Sequence, residues 1–202
     1  MSDSSKIREA PASALPSAGR GVVTRSSPSL RGRAAKAAGD AFEAFCEGQH
    51  RGAQVLGVLV HWAHNEPKSK VVGGRLIFAK KSGTDFSGVL AEGARALAAE
   101  AKSTKGKTLP RKRIEKLQAE QLDAVSKVGG VAYLLVEFRL PHGFCRFAIP
   151  WLEVPWWTKR TAESLSLEDI PTKYKILPGE CYLARGKAMP VVSGRRRVFA
   201  RD

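Results

Sequence analysis

Asp85 and, fifteen positions further on, Glu100-Ala101-Lys102 are the residues whose types and spacing could do chemistry in this sequence. Two carboxylates delivered by neighbouring strands can bind a hard divalent cation, because Mg²⁺ takes oxygen ligands and commonly uses one or two carboxylates beside phosphate oxygens and water. Strand periodicity of two puts Glu100 and Lys102 on one face, so the ammonium points toward the metal and a scissile phosphate. There it can position or activate an attacking water, or stabilise developing negative charge. A lone Glu-x-Lys is common, and its plain alternative is a surface acid beside a surface lysine. The surrounding elements have to decide.

Residues 1–32 are rich in Ser and Pro and carry Arg20, Arg25 and Arg31, without a periodic apolar face, and read as a flexible basic arm. Over 32–47, Ala34, Ala38, Ala41, Phe42 and Phe45 recur at helical spacing and predict an amphipathic helix that contains Glu43. Residues 54–62 read as a strand, 67–74 as a basic loop, 75–79 as a second strand and 85–90 as a third. Over 95–103 the chain alternates, with Leu97, Ala99 and Ala101 on one face and Ala98, Glu100 and Lys102 on the other. A polar loop at 105–110 leads to a helix over 111–128, with Pro110 suited to its first turn and Gly129-Gly130 ending it. Strands over 131–140 and 144–149, joined by a turn at 141–143, complete the order helix, three or four strands, helix, two strands.

On the second helix, Ile114, Leu117, Gln118, Gln121, Leu122 and Val125 share one face, so two amides interrupt a surface that should be buried. An amide buried without a partner costs roughly 1 to 3 kcal/mol, so each needs one. Gln118 is read as a site residue and Gln121 as a structural hydrogen bond to backbone. Lys105, Lys107, Arg111, Lys112 and Arg113 form the densest basic segment and read as a rail for a DNA backbone, with Lys80 and Lys81 in a second basic set leading to Asp85.

The balance of 34 Lys plus Arg against 19 Asp plus Glu gives a net charge of +15, which points to a polyanionic partner, nucleic acid first. At 202 residues with 43% hydrophobic content, the chain is long enough for one folded domain with tails. No apolar run is long enough to span a bilayer, and 1–30 lacks the apolar block of a secretory signal. Cys46, Cys145 and Cys181 are odd in number and far apart, which argues against a disulfide framework and fits a reducing cytoplasm. His61 and His64 have no Cys or His partners at zinc spacing and read as structural. The absence of a Walker A sequence leaves no phosphate cradle for ATP. Trp151, Trp156 and Trp157 read as packing or subunit contacts rather than base-stacking platforms.

The order of an acidic first helix, Asp85 after a strand and Glu100-Ala101-Lys102 in an alternating strand resembles the PD-(D/E)xK nuclease superfamily. Closer blocks narrow the likeness. Gly39-Asp40-Ala41-Phe42-Glu43, Lys81-Ser82-Gly83-Thr84-Asp85-Phe86-Ser87-Gly88, Leu109-Pro110 followed by Gln118, Gly129-Gly130-Val131 and Trp151-Leu152-Glu153-Val154-Pro155-Trp156 resemble the successive blocks of RecU-type Holliday-junction resolvases. The resemblance implies that Asp85 and Glu100 are the metal ligands, Lys102 the catalytic lysine, Glu43 an acidic helper and Gln118 an active-site amide. It also implies a homodimer that uses Mg²⁺, with Mn²⁺ as a substitute, to nick two opposed strands of a four-way junction, since a two-fold dimer matches a two-fold substrate. The long stalk of that family is expected to be reduced here, because 67–86 reads short.

The expected architecture is an α/β, restriction-endonuclease-like core, a central mixed β-sheet flanked by helices, with flexible basic termini. The expected divisions are an arm over 1–32, a nuclease domain over 33–158 and a basic C-terminal extension over 159–202. The expected activity is Mg²⁺-dependent hydrolysis of a phosphodiester in a four-way DNA junction, in the cytoplasm of a bacterial or phage-infected cell, alongside recombination or branch-migration proteins. Two alternatives stand beside it: a related nuclease acting on other branched or duplex DNA in repair or restriction, and a nonenzymatic DNA-binding protein.

Overall fold

The computed structural model describes residues 29–65, 69–72, 75–78, 83–154 and 163–185. Helix α1 (Leu30–Val55) begins where Ser29 caps it, its hydroxyl oxygen accepting from the Gly32 N–H at 3.2 Å. It ends just before Gly57, whose φ of 70° suits glycine. The helix outruns the span of 32–47 expected for it and takes in the start of the segment read as a strand. Gln49 and His50 lie beyond the end expected for the helix, and both are buried. Gln49 Oε1 accepts from the Tyr182 N–H at 3.0 Å, and His50 Nε2 shares a 2.6 Å hydrogen bond with the Tyr182 hydroxyl. Burial lowers the His50 pKa to about 3 and keeps the ring neutral.

The chain continues through β1 (Leu59–His64), β2 (Ser69–Val72), β3 (Arg75–Phe78), β4 (Phe86–Leu90), β5 (Ala96–Lys105), β6 (Thr108–Pro110), helix α2 (Lys116–Lys127), β7 (Val131–Leu140), β8 (Gly143–Pro150) and β9 (Ser164–Ser166). Five strands make one mixed sheet in the order β1-β4-β5-β7-β8. Its one parallel pair, β5 with β7, is joined by the α2 crossover, and the other neighbours run antiparallel. Strands β2 and β3 form a separate two-stranded hairpin, so part of the loop expected over 67–74 is strand. Val72 pairs with Arg75, leaving only Gly73 and Gly74 between the strands. Valines next to a Gly-Gly pair are hairpin chemistry, which the basic composition obscured.

The sheet separates two layers of core. Phe42 and Cys46 of α1 pack with Ala99, Ala101, Leu135 and Ala148 on one side, while Leu122 of α2 packs with Ala98, Leu134, Val136 and Ile149 on the other. The expected polar loop at 105–110 contains β6, which pairs with β9 through Leu109 and Leu165, both fully buried. Ile170, Tyr174, Cys181 and Tyr182 are buried as well, so the core reaches beyond residue 158, where the catalytic domain was expected to stop. Trp151 is also in the core, its indole N–H donating to Asp123 Oδ1 at 2.7 Å; Trp156 and Trp157 lie outside the described residues. Residues 1–28 of the arm expected over 1–32 and the final basic run likewise lie outside them, while 30–32 belong to α1. All three cysteines are free thiols. Among the described residues, no helix is long and apolar enough to cross a membrane.

Gly130 shows how tightly α2 returns to the sheet. A Cβ there would sit 2.6 Å from Val125 Cγ1, 2.8 Å from Val125 O and 2.9 Å from Ala96 O. Because two of those atoms are backbone, Gly130→Ala is expected to cost about 1 to 3 kcal/mol by overpacking, read as a lowered urea midpoint.

Candidate active site

The β4–β5 ladder positions the two carboxylates. Phe86 pairs with Ala99, so the antiparallel register places Asp85, just ahead of β4, opposite Glu100. Residues fifteen apart in sequence thus become neighbours one strand spacing apart. The two are interlocked through the backbone: Asp85 N–H donates to Glu100 Oε2 at 3.1 Å, and Asp85 Oδ2 accepts from the Ala101 N–H at 2.9 Å. Lys102, two residues beyond Glu100 on the same face, donates from Nζ to Glu100 Oε1. The expected convergence of Asp85, Glu100 and Lys102 on one locus is therefore present.

Its electrostatics are strained. Glu100 is fully buried, and burial, reinforced by the nearby Asp85 charge, pushes its carboxyl up to about 8 despite the opposing pull of Lys102. Glu43 approaches from α1, where burial and the Asp85 charge raise its carboxyl above the ordinary range. Three carboxyl groups thus share a neighbourhood with Lys102 and His64 as the nearby basic groups influencing them. Among the described residues, no three His, Cys, Asp or Glu side chains form a ready-made metal cage. Mg²⁺ does not require one: it dehydrates reluctantly and is often held by one or two carboxylates with water and phosphate. The hard oxygen donors of Asp85 and Glu100, with a buried carboxyl that a cation would relieve, fit that ion.

His64, read from sequence as structural, lies at this rim. Its Nδ1 is 3.0 Å from Glu47 Oε1 and its Nε2 3.5 Å from Glu43 Oε2, with the ring stacked on Phe86. Its spacing to α1 could not be read from sequence, since the two elements meet only in the fold. A second buried acid, Glu137, is matched by Arg146 at 2.8 Å and accepts from Ser103 Oγ at 2.9 Å. In sequence it is merely the charge that interrupts an apolar run.

The two amides of α2 find backbone partners. Gln118 Oε1 accepts from the Glu115 N–H at 2.9 Å and closes a capping box with the Glu115 side chain. That cap starts α2 at Lys116 and splits the expected 111–128 helix, leaving Arg111–Arg113 as a separate 3-10 turn. Gln121 Oε1 instead accepts from the Thr84 N–H at 2.8 Å, directly beside Asp85. Gln118, expected in the site, bonds in the cap, whereas Gln121 makes the hydrogen bond to backbone expected of it, and makes it on the loop that carries Asp85.

Lys105, Lys107, Arg111, Lys112 and Arg113 are all exposed. Arg113 donates to the carbonyl of Ser103, next to Lys102, at 3.3 Å, while Lys107 pairs with Glu168 at 2.9 Å. Lys80 and Lys81 lie outside the described residues.

Comparison with known proteins follows the same direction. The family described as Recombination protein U, RecU, matches residues 61–183, which include most of β1, Asp85, Glu100, Lys102 and most of the buried C-terminal segment. Among solved structures, the chain is similar to Archaeoglobus fulgidus Hjc, a Holliday junction resolvase from an archaeal hyperthermophile, solved at 1.6 Å. The TM-score is 0.34 and the identity 20%, over 64% of this chain and 89% of that one. No curated protein matches. With more than half of its length matched, this chain belongs to the RecU family, the Holliday-junction resolvases of DNA recombination.

Proposed function

We propose that the protein is a divalent-metal-dependent endonuclease that resolves four-way DNA junctions by paired nicks, working as a homodimer. The observation that carries this reading is the convergence of Asp85, Glu100 and Lys102 on one side of the β4–β5 ladder. Asp85 and Glu100 would hold Mg²⁺, which, when bound, supplies Lewis-acid stabilisation of phosphate charge and lowers the pKa of water. The remaining chemistry belongs to the chain. Lys102 is 14% exposed, so its ammonium acts on an incoming phosphate from a poorly solvated position, where it stabilises negative charge more than it would in water. Glu43, its carboxyl raised, can carry or accept a proton at the rim. The exposed cations of 105–113 hold the phosphate backbone without reading sequence. One site makes one cut, and a second copy related by a two-fold axis supplies the opposing nick.

A synthetic four-way junction and a linear duplex with identical arms, each with Mg²⁺ or EDTA, test the proposal. The junction should be cut at two symmetric positions only with Mg²⁺. Equal cleavage of the duplex would replace junction resolution by a broader nuclease activity, and cleavage in EDTA would remove the metal.

A further inference from the structure

The loop that carries Asp85 is gripped from two sides. On one, Gln121 Oε1 accepts from the Thr84 N–H at 2.8 Å. On the other, Asn65 Nδ2 donates to Thr84 O at 3.0 Å, and the Asn65 N–H donates to Asp85 O at 2.7 Å. Asn65 Oδ1 is itself fixed by Ser87 Oγ at 3.2 Å. Gly83 makes the Gln121 contact sterically feasible: a Cβ built there would lie 1.5 Å from Gln121 Oε1 and 2.7 Å from its Cδ. The space taken by the amide is what demands glycine at 83.

We propose that Gln121, seated on Gly83, is a positioning residue for strand cleavage: it anchors the Thr84-Asp85 backbone and so sets the Asp85 carboxylate against Glu100. This rests on the nuclease reading above and deepens it. Thr84 is fully buried, so its N–H cannot turn to bulk water when the amide is removed, and the loop must shift to find another acceptor. Asp85 is the next residue, bonded to β5 through Glu100 Oε2 and the Ala101 N–H, so such a shift reaches the carboxylate. The sequence pairs the two requirements thirty-eight residues apart, a residue without a side chain at 83 and an acceptor on α2 at 121.

Wild type, Gln121→Ala, Gly83→Ala and the double variant separate this role from a merely structural one. The readouts are single-turnover cleavage of the four-way junction, junction affinity in EDTA, and hydrogen exchange of the Thr84 amide in metal-free protein. Each single variant should slow cleavage roughly 10- to 100-fold, as expected for a small displacement of a reacting group. Affinity should be unchanged, and the Thr84 amide should exchange faster. The double variant should be no slower than Gln121→Ala alone, because without the amide the added methyl has nothing to displace. Wild-type rates in Gln121→Ala, additive losses in the double variant, or an unchanged Thr84 exchange rate would each overturn the inference. If wild type itself fails to cut the junction, the functional reading falls instead, and the exchange data still decide whether Gln121 anchors the loop.

Discussion

Asp85→Asn is expected to lower the rate of junction cleavage by at least about 100-fold while leaving junction binding in EDTA unchanged. The substitution isolates charge from architecture. Asparagine keeps an oxygen able to accept the Ala101 N–H, which Asp85 Oδ2 now holds at 2.9 Å, and the backbone N–H at 85 still donates to Glu100 Oε2. What is lost is the negative charge that would hold the proposed cation. Binding should persist because, on the proposed reading, affinity for a polyanion would come chiefly from cations such as those exposed over 105–113. Lys102→Met should show the same pattern, with a rate loss of roughly 100- to 1,000-fold, since it removes a cation aimed at charge that develops only in the transition state. Measuring nicking and binding on the same junction checks both. A wild-type rate in Asp85→Asn would show that the converging carboxylates do not perform the reaction.

Glu100→Gln should change stability as well as activity. The Glu100 carboxyl sits at about 8 in the folded protein against an ordinary value of 4.5, so between those values the folded state keeps a proton that the unfolded chain gives up. Stability therefore falls as pH rises through this window, by at most about 1.4 kcal/mol per unit, and levels off above it. Glutamine has no such proton. Urea midpoints in EDTA should show wild type losing ground to Glu100→Gln from about pH 4.5 to about pH 8, with parallel profiles beyond. Parallel profiles throughout would show that Glu100 ionises freely. Added Mg²⁺ should restore wild type more than the variant at the upper end, because a ligand that binds only the folded state stabilises it. A buried acid next to another acid is a poor arrangement for folding, and a bound cation would relieve it.

Much of the site was legible from local spacing. The alternation over β5 placed Glu100 and Lys102 on one face, and glycines marked the end of α2; both follow from backbone geometry that a few neighbouring residues specify. Less could be read where polar residues are satisfied by distant partners. The first helix was expected to stop at residue 47, because nothing nearby in sequence reveals that Tyr182 receives Gln49 and His50 in the core. Residues 159–202 looked like a basic extension, since their charges are conspicuous and the core that takes Leu165 and Tyr174 is built largely by other elements. His64 looked structural for the same reason: Glu43 and Glu47 face it only once α1 has docked on β1.

The two amides of α2 mark the boundary most clearly. Periodicity alone established that Gln118 and Gln121 lie where partners are needed, and residue type established that two carboxylates and a lysine could serve a divalent cation. Which amide caps the helix and which one holds the loop was decided by tertiary structure, through the 3-10 turn that resets the start of α2 and the register that brings Thr84 beneath it. Local spacing determines the face a side chain occupies. Its partner depends on long-range packing, where small shifts at an element's end redirect a whole hydrogen bond.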